Sequence, residues 1–215
     1  MMFAVYASHA EIDDPLSALR VGEQPEPDAQ EGWVRVKVSH ASLNRHDLFT
    51  LRGITAHPDG ISFPIIMGND GAGTLDDGTQ VVIYPVMGSD EWRDDETLDP
   101  GVHIFSEFVP GTFANHVAVP KRNAIVLPEG LSALNASVLG TAWLTAYRAL
   151  FTKSKLKPGE TLLVQGASGG MATALIPLAA TRSISAMARS RSVVSMNATG
   201  RRRGLIFAVS IHQSL

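Results

Sequence analysis

The chain has 215 residues, of which 45% are hydrophobic and 18% are charged, so it can bury a core and is not a disordered polypeptide. It has no cysteine, which excludes disulfides, thiolate metal ligands and cysteine nucleophiles, and its net charge of −3 gives no general attraction to nucleic acid. No apolar run approaches the roughly 18 residues of a membrane span and no secretory signal begins the chain, so we expect a cytoplasmic protein without a membrane or nucleic-acid partner.

The charged residues are divided unevenly along the chain. Residues 1–160 hold all 21 acidic side chains, whereas residues 161–215 hold none. The basic side chains of that last part are six arginines: Arg182, Arg189, Arg191, Arg201, Arg202 and Arg203. One interpretation is a basic arm that contacts an anionic partner. We favour another interpretation, in which this segment did not evolve under the selection that shaped the rest of the chain. An abnormal or out-of-frame chain end would have this composition.

The first 130 residues have the pattern of short strands separated by turns. Valines alternate with polar residues over 34–38, which predicts a half-buried strand. Asp76-Asp77-Gly78-Thr79 is a hairpin turn signal, and residues 112–119 alternate again. Acidic residues crowd 88–107, which predicts an exposed loop. Many short strands with such turns predict a compact, distorted β-barrel.

After Pro128 the pattern becomes helical and then alternates between strand and helix. Ser132 is a candidate N-cap for a first helix, and apolar spacing predicts a second helix over about 141–151. The apolar run Thr161–Gln165 predicts a buried strand. A glycine turn follows it, and then a segment of helical composition from Met171 to Ala180. The sequence therefore predicts a barrel, junction helices and a strand–turn–helix unit.

The glycine turn is the main chemical signal. A dinucleotide site needs small residues between a strand and a helix, so that the first amides of the helix can approach the pyrophosphate. The candidate cofactor-binding residues are Gly166, Ala167, Ser168, Gly169, Gly170, Met171 and Ala172. A glycine-rich turn of this kind also occurs as a simple bend, and the flanking strand and helix favour the nucleotide interpretation.

The residues that follow bear on the choice of cofactor. A ribose-binding acid is expected about 20 residues after the glycine turn, but Arg189-Ser190-Arg191 stands there instead. Arginine at that place could hold a 2′-phosphate, which favours NADP(H) over NAD(H). In the alternative, Pro177 interrupts the helix and no strand precedes Arg189. Arg189-Ser190-Arg191 then belongs to an irregular tail that begins at about residue 177.

Four segments resemble the medium-chain dehydrogenase/reductase superfamily, in its zinc-free quinone oxidoreductase-like and alcohol dehydrogenase-like branch. They are Ala41-Ser42-Leu43-Asn44-Arg45-His46-Asp47, the glycine-rich stretch Pro64–Gly73, the stretch Gly140–Tyr147 and the turn Gly166–Ala172. The resemblance covers about residues 1–176.

The resemblance implies a GroES-like β-barrel domain followed by an incomplete Rossmann unit. We divide the chain into a GroES-like domain over 1–130, junction helices and the start of a nucleotide-binding domain over 131–180, and an atypical Arg/Ser-rich tail over 181–215. Members of the family are usually longer, so we expect a C-terminally truncated member. A homodimer is possible where the nucleotide domain is complete.

Departures from the family pattern bear on the metal. In zinc-dependent relatives the catalytic zinc is held by Cys, His and Cys at places that match Asn44, Asn69 and Thr141. These residue types are poor zinc ligands, and the cysteines of the structural zinc are absent as well. The resemblance therefore implies an enzyme with no metal site.

The resemblance also indicates which side chains act on a small-molecule substrate. Asn44 could donate a hydrogen bond to the acceptor oxygen, and His46 stands where relatives have a proton relay. In the alternative, His46 is an ordinary loop histidine. Asp47 is a third candidate, although capping a short helix over 48–52 is the simpler role for it. Thr145 occupies the place where relatives contact the nicotinamide.

The function that the resemblance implies is zinc-independent, NAD(P)H-dependent reduction of a quinone, an enone or a related carbonyl by hydride transfer. Two alternatives remain open. One is an inactive truncated fragment, because a half-built Rossmann sheet leaves a strand face uncovered. The other is a small barrel module that binds a partner.

Overall fold

The computed structural model describes residues 1–55, 59–166, 168–189 and 208–209, which fall into two compact units, Met1–Thr141 and Ala142–Leu215. Its strands are β1 (Met2–Ala7), β2 (Leu19–Gln24), β3 (Trp33–Ser42), β4 (Ile65–Ile66), β5 (Asp70–Leu75), β6 (Gln80–Ile83), β7 (Val86–Met87), β8 (His103–Ile104), β9 (His116–Pro120), β10 (Ala124–Val126), β11 (Thr161–Gln165), β12 (Ser185–Arg189) and β13 (Ala208–Val209). Its α-helices are α1 (Arg45–Leu51), α2 (Ala133–Ala136), α3 (Leu144–Tyr147) and α4 (Gly170–Ala180).

The first unit is built from antiparallel sheets. The larger sheet has the strand order β10-β6-β5-β3-β9, and a smaller one has the order β2-β1-β4. The inward-facing side chains of the larger sheet, together with Phe105 from the segment after β8, form a core of fully buried residues: Val36, Val81, Ile83, Phe105, Val117 and Val119. The predicted barrel-type domain is confirmed, because alternating strands such as β3 bury one face, as their period of two requires.

The predicted hairpin is confirmed between β5 and β6. Its turn holds Gly78 at φ +89°, and the Gly78 N–H donates to the carbonyl of Leu75. A positive φ is accessible to glycine at little cost, so this residue allows β6 to return along β5. The turn places the first residue of β5, Asp70, at the opposite end of that strand.

The junction helices differ in part from the prediction. Ser132 caps α2 as expected, with its hydroxyl oxygen accepting from the Asn135 N–H at 3.3 Å. The second helix is not a uniform α-helix, since π-helical turns at Leu139–Trp143 and Arg148–Lys153 flank the short α3. The helix prediction for 141–151 is therefore right in kind but not in hydrogen-bonding pattern.

The second unit contains a parallel sheet with the strand order β12-β11-β13. Helix α4 connects β11 to β12, and its apolar face forms a core with buried residues such as Leu162 and Leu175. The strand–turn–helix prediction is confirmed, and β12 extends it into a full β–α–β unit.

Two expectations for this unit are wrong. Helix α4 continues through Pro177 to Ala180, because a proline removes a single backbone donor and the remaining turns still bury their apolar face. A strand does precede and include Arg189, namely β12, so the irregular tail does not begin at residue 177. Arg191, Arg201, Arg202 and Arg203 lie outside the described residues.

None of the helices within the described ranges is long and apolar enough to cross a membrane.

Candidate functional site

The loop between β3 and α1 is held by a reciprocal cap. Asn44 is the N-cap of α1, and the Asp47 carboxylate accepts from the Asn44 N–H at 2.6 Å. In this capping-box arrangement the Asn44 side chain faces the Asp47 amide. The capping role for Asp47 is confirmed, although the helix begins at Arg45 rather than at residue 48.

The Asp47 carboxyl is almost entirely buried, with 6% of the residue exposed. Burial raises the pKa of Asp47, and the hydrogen bond from the Asn44 N–H partly opposes that rise. Asp47 is therefore a buried structural carboxyl whose ionised form is disfavoured by its surroundings.

A second buried carboxylate, Asp70, joins residues that are far apart in the sequence. Asp70 is 1% exposed. Its Oδ2 accepts from Asn44 Nδ2 at 2.9 Å and from Ser42 Oγ at 3.1 Å, and its Oδ1 accepts from Thr141 Oγ1 at 2.6 Å. Three donors around one carboxylate satisfy it in a buried position.

Close approach of the chain around this carboxylate requires a glycine. A Cβ on Gly140 would lie 2.6 Å from Asp70 Oδ1 and 3.0 Å from Pro85 Cδ. Because such contacts are too short for real Cβ atoms, only glycine lets Thr141 reach Asp70 in this way. The stretch Gly140–Tyr147 thus begins with glycine and threonine for a local physical reason, which is the contact between Thr141 and Asp70.

Of the three positions that zinc-dependent relatives use for the metal, two meet at Asp70. Asn44 and Thr141 both donate to it, whereas the Asn69 amide donates instead to the carbonyl of Phe105 at 2.5 Å. Asn69 is 1% exposed and is a core residue of the loop before β5.

This set of groups does not fit a zinc ion. Zinc in proteins is held by thiolate, imidazole or carboxylate groups, and here an amide nitrogen and a hydroxyl direct their hydrogens at the single carboxylate of Asp70. Within the described ranges no three His, Asp or Glu side chains lie close enough together to share a metal ion.

His46 lies on the first turn of α1 beside an acid that the sequence analysis did not identify. His46 Nε2 is 2.9 Å from Glu107 Oε1, but the approach is not aligned for a hydrogen bond, so the contact is an ion pair when His46 is protonated. Glu107 is 6% exposed and its Oε2 accepts from Thr55 Oγ1 at 2.6 Å. The two residues are 61 positions apart, and no local signal in the sequence joins them.

The glycine turn has an open outer face. Gly166 has φ +72°, and among the described residues a Cβ placed there would meet nothing within 4 Å. Within the part of the chain that the structure describes, a Cβ on Gly169 would meet the Gly166 carbonyl oxygen alone, at 3.6 Å, which is an ordinary contact. Helix α4 begins at Gly170, so its first-turn amides lack intrahelical partners. As far as the described residues go, an approaching phosphate meets open space and helix-start amides, which fits a dinucleotide pyrophosphate.

The remaining candidate residues of the turn divide into three groups. Ser168 and Gly170 are exposed, Met171 is half-buried and Ala172 is buried against the sheet. Ala167 lies outside the described residues. Thr145 is exposed on α3. These residues stay predicted cofactor contacts.

The end of β12 corresponds to the place where a ribose contact is expected. The parallel register pairs Gln165, the last residue of β11, with Arg189, the last residue of β12. The backbone of Arg189 thus stands at the carboxyl edge of the sheet, next to the strand that leads into the glycine turn.

Comparison with known proteins gives a family match and related sequences. Residues 30–129 match the alcohol dehydrogenase GroES-like domain. The zinc-type alcohol dehydrogenase-like protein YogA of Leptosphaeria maculans is 31% identical over 175 residues, covering 72% of this chain and 47% of the relative. A phenolphthiocerol/phthiocerol polyketide synthase from Mycobacterium tuberculosis is 30% identical over 175 residues, covering 80% of this chain and 7% of that much longer protein.

Solved structures agree with these matches. An NAD-dependent alcohol dehydrogenase superposes with a TM-score of 0.79 at 28% identity, covering 87% of this chain and 57% of the other. The quinone oxidoreductase from Thermus thermophilus, solved alone and with NADPH, gives a TM-score of 0.65 at 28% identity, covering 87% and 52%. The chain thus spans about half the length of these dehydrogenases.

The domain match, the related sequences and the superposed structures all point to one superfamily. They agree with the antiparallel barrel-type unit and the β–α–β unit seen in this chain. The chain therefore belongs to the medium-chain dehydrogenase/reductase superfamily, and residues 30–129 are its alcohol dehydrogenase GroES-like domain.

Proposed function

We propose that this chain is part of a zinc-independent, NAD(P)H-dependent oxidoreductase that reduces a quinone, an enone or a related carbonyl by hydride transfer. The observation that carries the proposal is the hydrogen-bonded cluster at Asp70, which replaces metal ligands with an amide and a hydroxyl. The likeness to a quinone oxidoreductase solved with NADPH supports the same reaction class.

The chain's own groups suit the steps around hydride transfer. When bound, a nicotinamide dinucleotide supplies the hydride. The first amides of α4 would hold its pyrophosphate against the open face of the glycine turn. His46 would hold a proton at Nε2, which lies 2.9 Å from Glu107 Oε1.

We also propose that NADP(H) is preferred over NAD(H). Relatives of this fold that use NAD bind the ribose with an acid at the end of the second strand. Strand β12 ends on Arg189 instead. A cationic residue there attracts a 2′-phosphate and offers nothing comparable to a bare ribose.

Titration of both cofactors into the full chain, followed by their fluorescence, tests the cofactor site. Gly169→Val places a side chain in the phosphate path, while the protein itself leaves room for the Cβ at an ordinary φ of −80°. We expect NADPH affinity to fall about ten- to a hundredfold, because each charge-assisted phosphate hydrogen bond contributes about 1.5–3 kcal/mol.

Gly22→Val is the matched control for this variant. A Cβ on Gly22 meets no described residue within 4 Å, and the residue lies on β2, where valine is favoured. We expect it to bind NADPH like the wild type. Equal binding by wild type and Gly169→Val would reduce the turn to a structural bend and overturn the cofactor assignment.

A further inference from the structure

The hydrogens in the Asp70 cluster all have an assigned acceptor. Thr141 and Ser42 each have a single hydroxyl hydrogen, and both are donated to the Asp70 carboxylate. The Asn44 amide has two hydrogens, of which one goes to Asp70 Oδ2 at 2.9 Å and the other to the Ser42 carbonyl at 3.4 Å. A carboxylate can only accept hydrogen bonds, so Asp70 fixes the direction of the three bonds that end on it.

With its hydrogens used, the cluster can only accept further hydrogen bonds, through oxygen lone pairs. A carboxamide oxygen carries two lone pairs. Asn44 Oδ1 lies on the side of the Asp47 N–H, which donates to the Asn44 backbone carbonyl at 3.1 Å, so Oδ1 has capacity for a further donor. Asn44 is only partly buried, whereas Asp70 is 1% exposed and lies behind it. The accessible face of the cluster is therefore a hydrogen-bond acceptor.

This polarity differs from the one that the sequence analysis assigned to Asn44. An amide that polarises a carbonyl must direct an N–H at the substrate, but here the N–H groups are directed at Asp70 and Ser42. Turning the amide around would set Asn44 Oδ1 against the Asp70 carboxylate, which is a repulsive pair of acceptors.

We propose that Asp70 is a positioning residue that makes this cluster a hydrogen-bond acceptor, and that the substrate carries a hydroxyl group which donates to Asn44 Oδ1. The reducible group of the substrate is taken from the proposed function, on which this inference rests. The added hydroxyl narrows the substrate class to a hydroxylated quinone, enone or carbonyl. The hydroxyl is an anchoring group, and its oxygen is not the one that is reduced.

A matched pair of quinones tests this directly. 2-(Hydroxymethyl)-1,4-benzoquinone and 2-ethyl-1,4-benzoquinone have nearly the same shape and differ in one donor. Their dissociation constants with the full chain are measured by saturation-transfer NMR without any dinucleotide, so that the result does not depend on turnover. The chain has no cysteine, so thiol adducts with the quinones cannot form.

We expect the hydroxymethyl compound to bind about three- to tenfold more tightly, as one added neutral hydrogen bond provides. General hydrophobic binding would favour the ethyl compound instead. A ratio at or below one in the wild type, or no binding of either compound, overturns the inference.

Two nearly isosteric variants separate positioning from simple structure. Asp70→Asn brings amide hydrogens into the cluster and frees Asn44 to turn, so the ratio should fall to about one. Thr141→Val removes a donor and leaves the acceptor face, so the ratio should persist. If Asn44 and Thr141 instead donate to a substrate carbonyl, Thr141→Val weakens both quinones, and that outcome also overturns the inference.

The reductase function and the hydroxyl anchor at Asn44 can be rejected independently of each other. Circular dichroism establishes whether each variant is folded. If Asp70→Asn does not fold, the ratio of the two dissociation constants in the wild type still decides the inference. Turnover of both quinones with NADPH and no preference between them would keep the proposed function and reject the hydroxyl anchor. A clear binding preference for the hydroxymethyl compound without any turnover would keep the hydroxyl anchor and reject the proposed function.

Discussion

At the scale of single residues, two buried carboxyl groups meet at Asn44 with different roles. Asp70 is satisfied by three side-chain donors, whereas Asp47 has the Asn44 N–H as its principal partner and its pKa is raised by burial. A carboxyl whose pKa is higher in the folded than in the unfolded state destabilises the fold when it is ionised.

Asp47→Asn should therefore be more stable than the wild type at neutral pH. The asparagine oxygen can still accept from the Asn44 N–H, and the cost of a buried charge is gone. Below the unfolded pKa of about 3.9 both forms are neutral, so the difference should vanish. The wild type should lose stability relative to the variant as the pH rises from about 4 through the folded pKa. Urea unfolding at several pH values measures this, and a wild type that is more stable at pH 7 would contradict it.

The sequence groups Asn44, His46 and Asp47 and favours a local pairing or capping role for Asp70, but it does not connect Asn44 to Asp70 or His46 to Glu107. Asn44 and Asp70 are 26 positions apart, and Thr141 is another 71 positions further. Only the pairing of β3 with β5 and the turn at Gly140 bring them together. Periodicity reports which face a side chain lies on, not which distant side chain it meets.

At the scale of elements, the loop after β7 shows how one carboxylate can hold an acidic segment in place. Asp99 accepts from the Ser89 N–H at 2.5 Å, from Ser89 Oγ at 2.9 Å and from the Gly101 N–H at 2.8 Å. The hydrogen bond from the Ser89 N–H is the main cause of a lowered pKa for Asp99. The loop predicted as an exposed excursion thus has an ordered anchor.

A lowered carboxyl pKa gives stabilisation that is present above the unfolded pKa of about 3.9 and is lost as the pH falls through the folded pKa. Hydrogen-exchange protection of Ser89 and Gly101 should therefore be constant from neutral pH down to about 4 and fall below it. Asp99→Asn should lower the protection of both amides at neutral pH, and Asp94→Asn, on an exposed neighbour, serves as the control. Unchanged protection in Asp99→Asn would show that the anchor lies elsewhere.

Elements with strong local signals were predictable, and those set by tertiary context were not. The β5–β6 hairpin and the β11–α4 turn follow from glycine positions and apolar runs. Strand β12 was missed because its sequence, Ser-Ala-Met-Ala-Arg, has little β-propensity. It is a strand because parallel pairing with β11 satisfies its backbone. The π-helical turns around α3 likewise have no local signature.

At the scale of the whole molecule, each unit has its own hydrophobic core. Leu162, fully buried, belongs to the core of the second unit, and Ile83, also fully buried, belongs to that of the first. We expect the units to open separately. Leu162→Ala should lower the opening free energy of amides in 142–189 by about 2–5 kcal/mol and leave those of 1–141 unchanged.

Ile83→Ala is the reciprocal variant, with the opposite expected pattern and a similar magnitude. Native-state hydrogen exchange resolves both patterns residue by residue. A uniform loss of protection across both units in either variant would mean that they unfold as one cooperative body.

Zinc-independent hydride transfer can be followed as the transfer of deuterium from the cofactor by the metal-free protein. The full chain is treated with a chelator, freed of metal, and mixed with NADPH deuterated at nicotinamide C4 and with an unsubstituted enone, whose reduction places the deuterium on carbon. We expect one deuterium in the product by mass spectrometry, with no increase on addition of zinc and about ten- to a hundredfold less transfer by Gly169→Val at limiting NADPH. Absence of deuterium in the product, or its appearance only after zinc is added, would show that this chain does not transfer hydride without zinc.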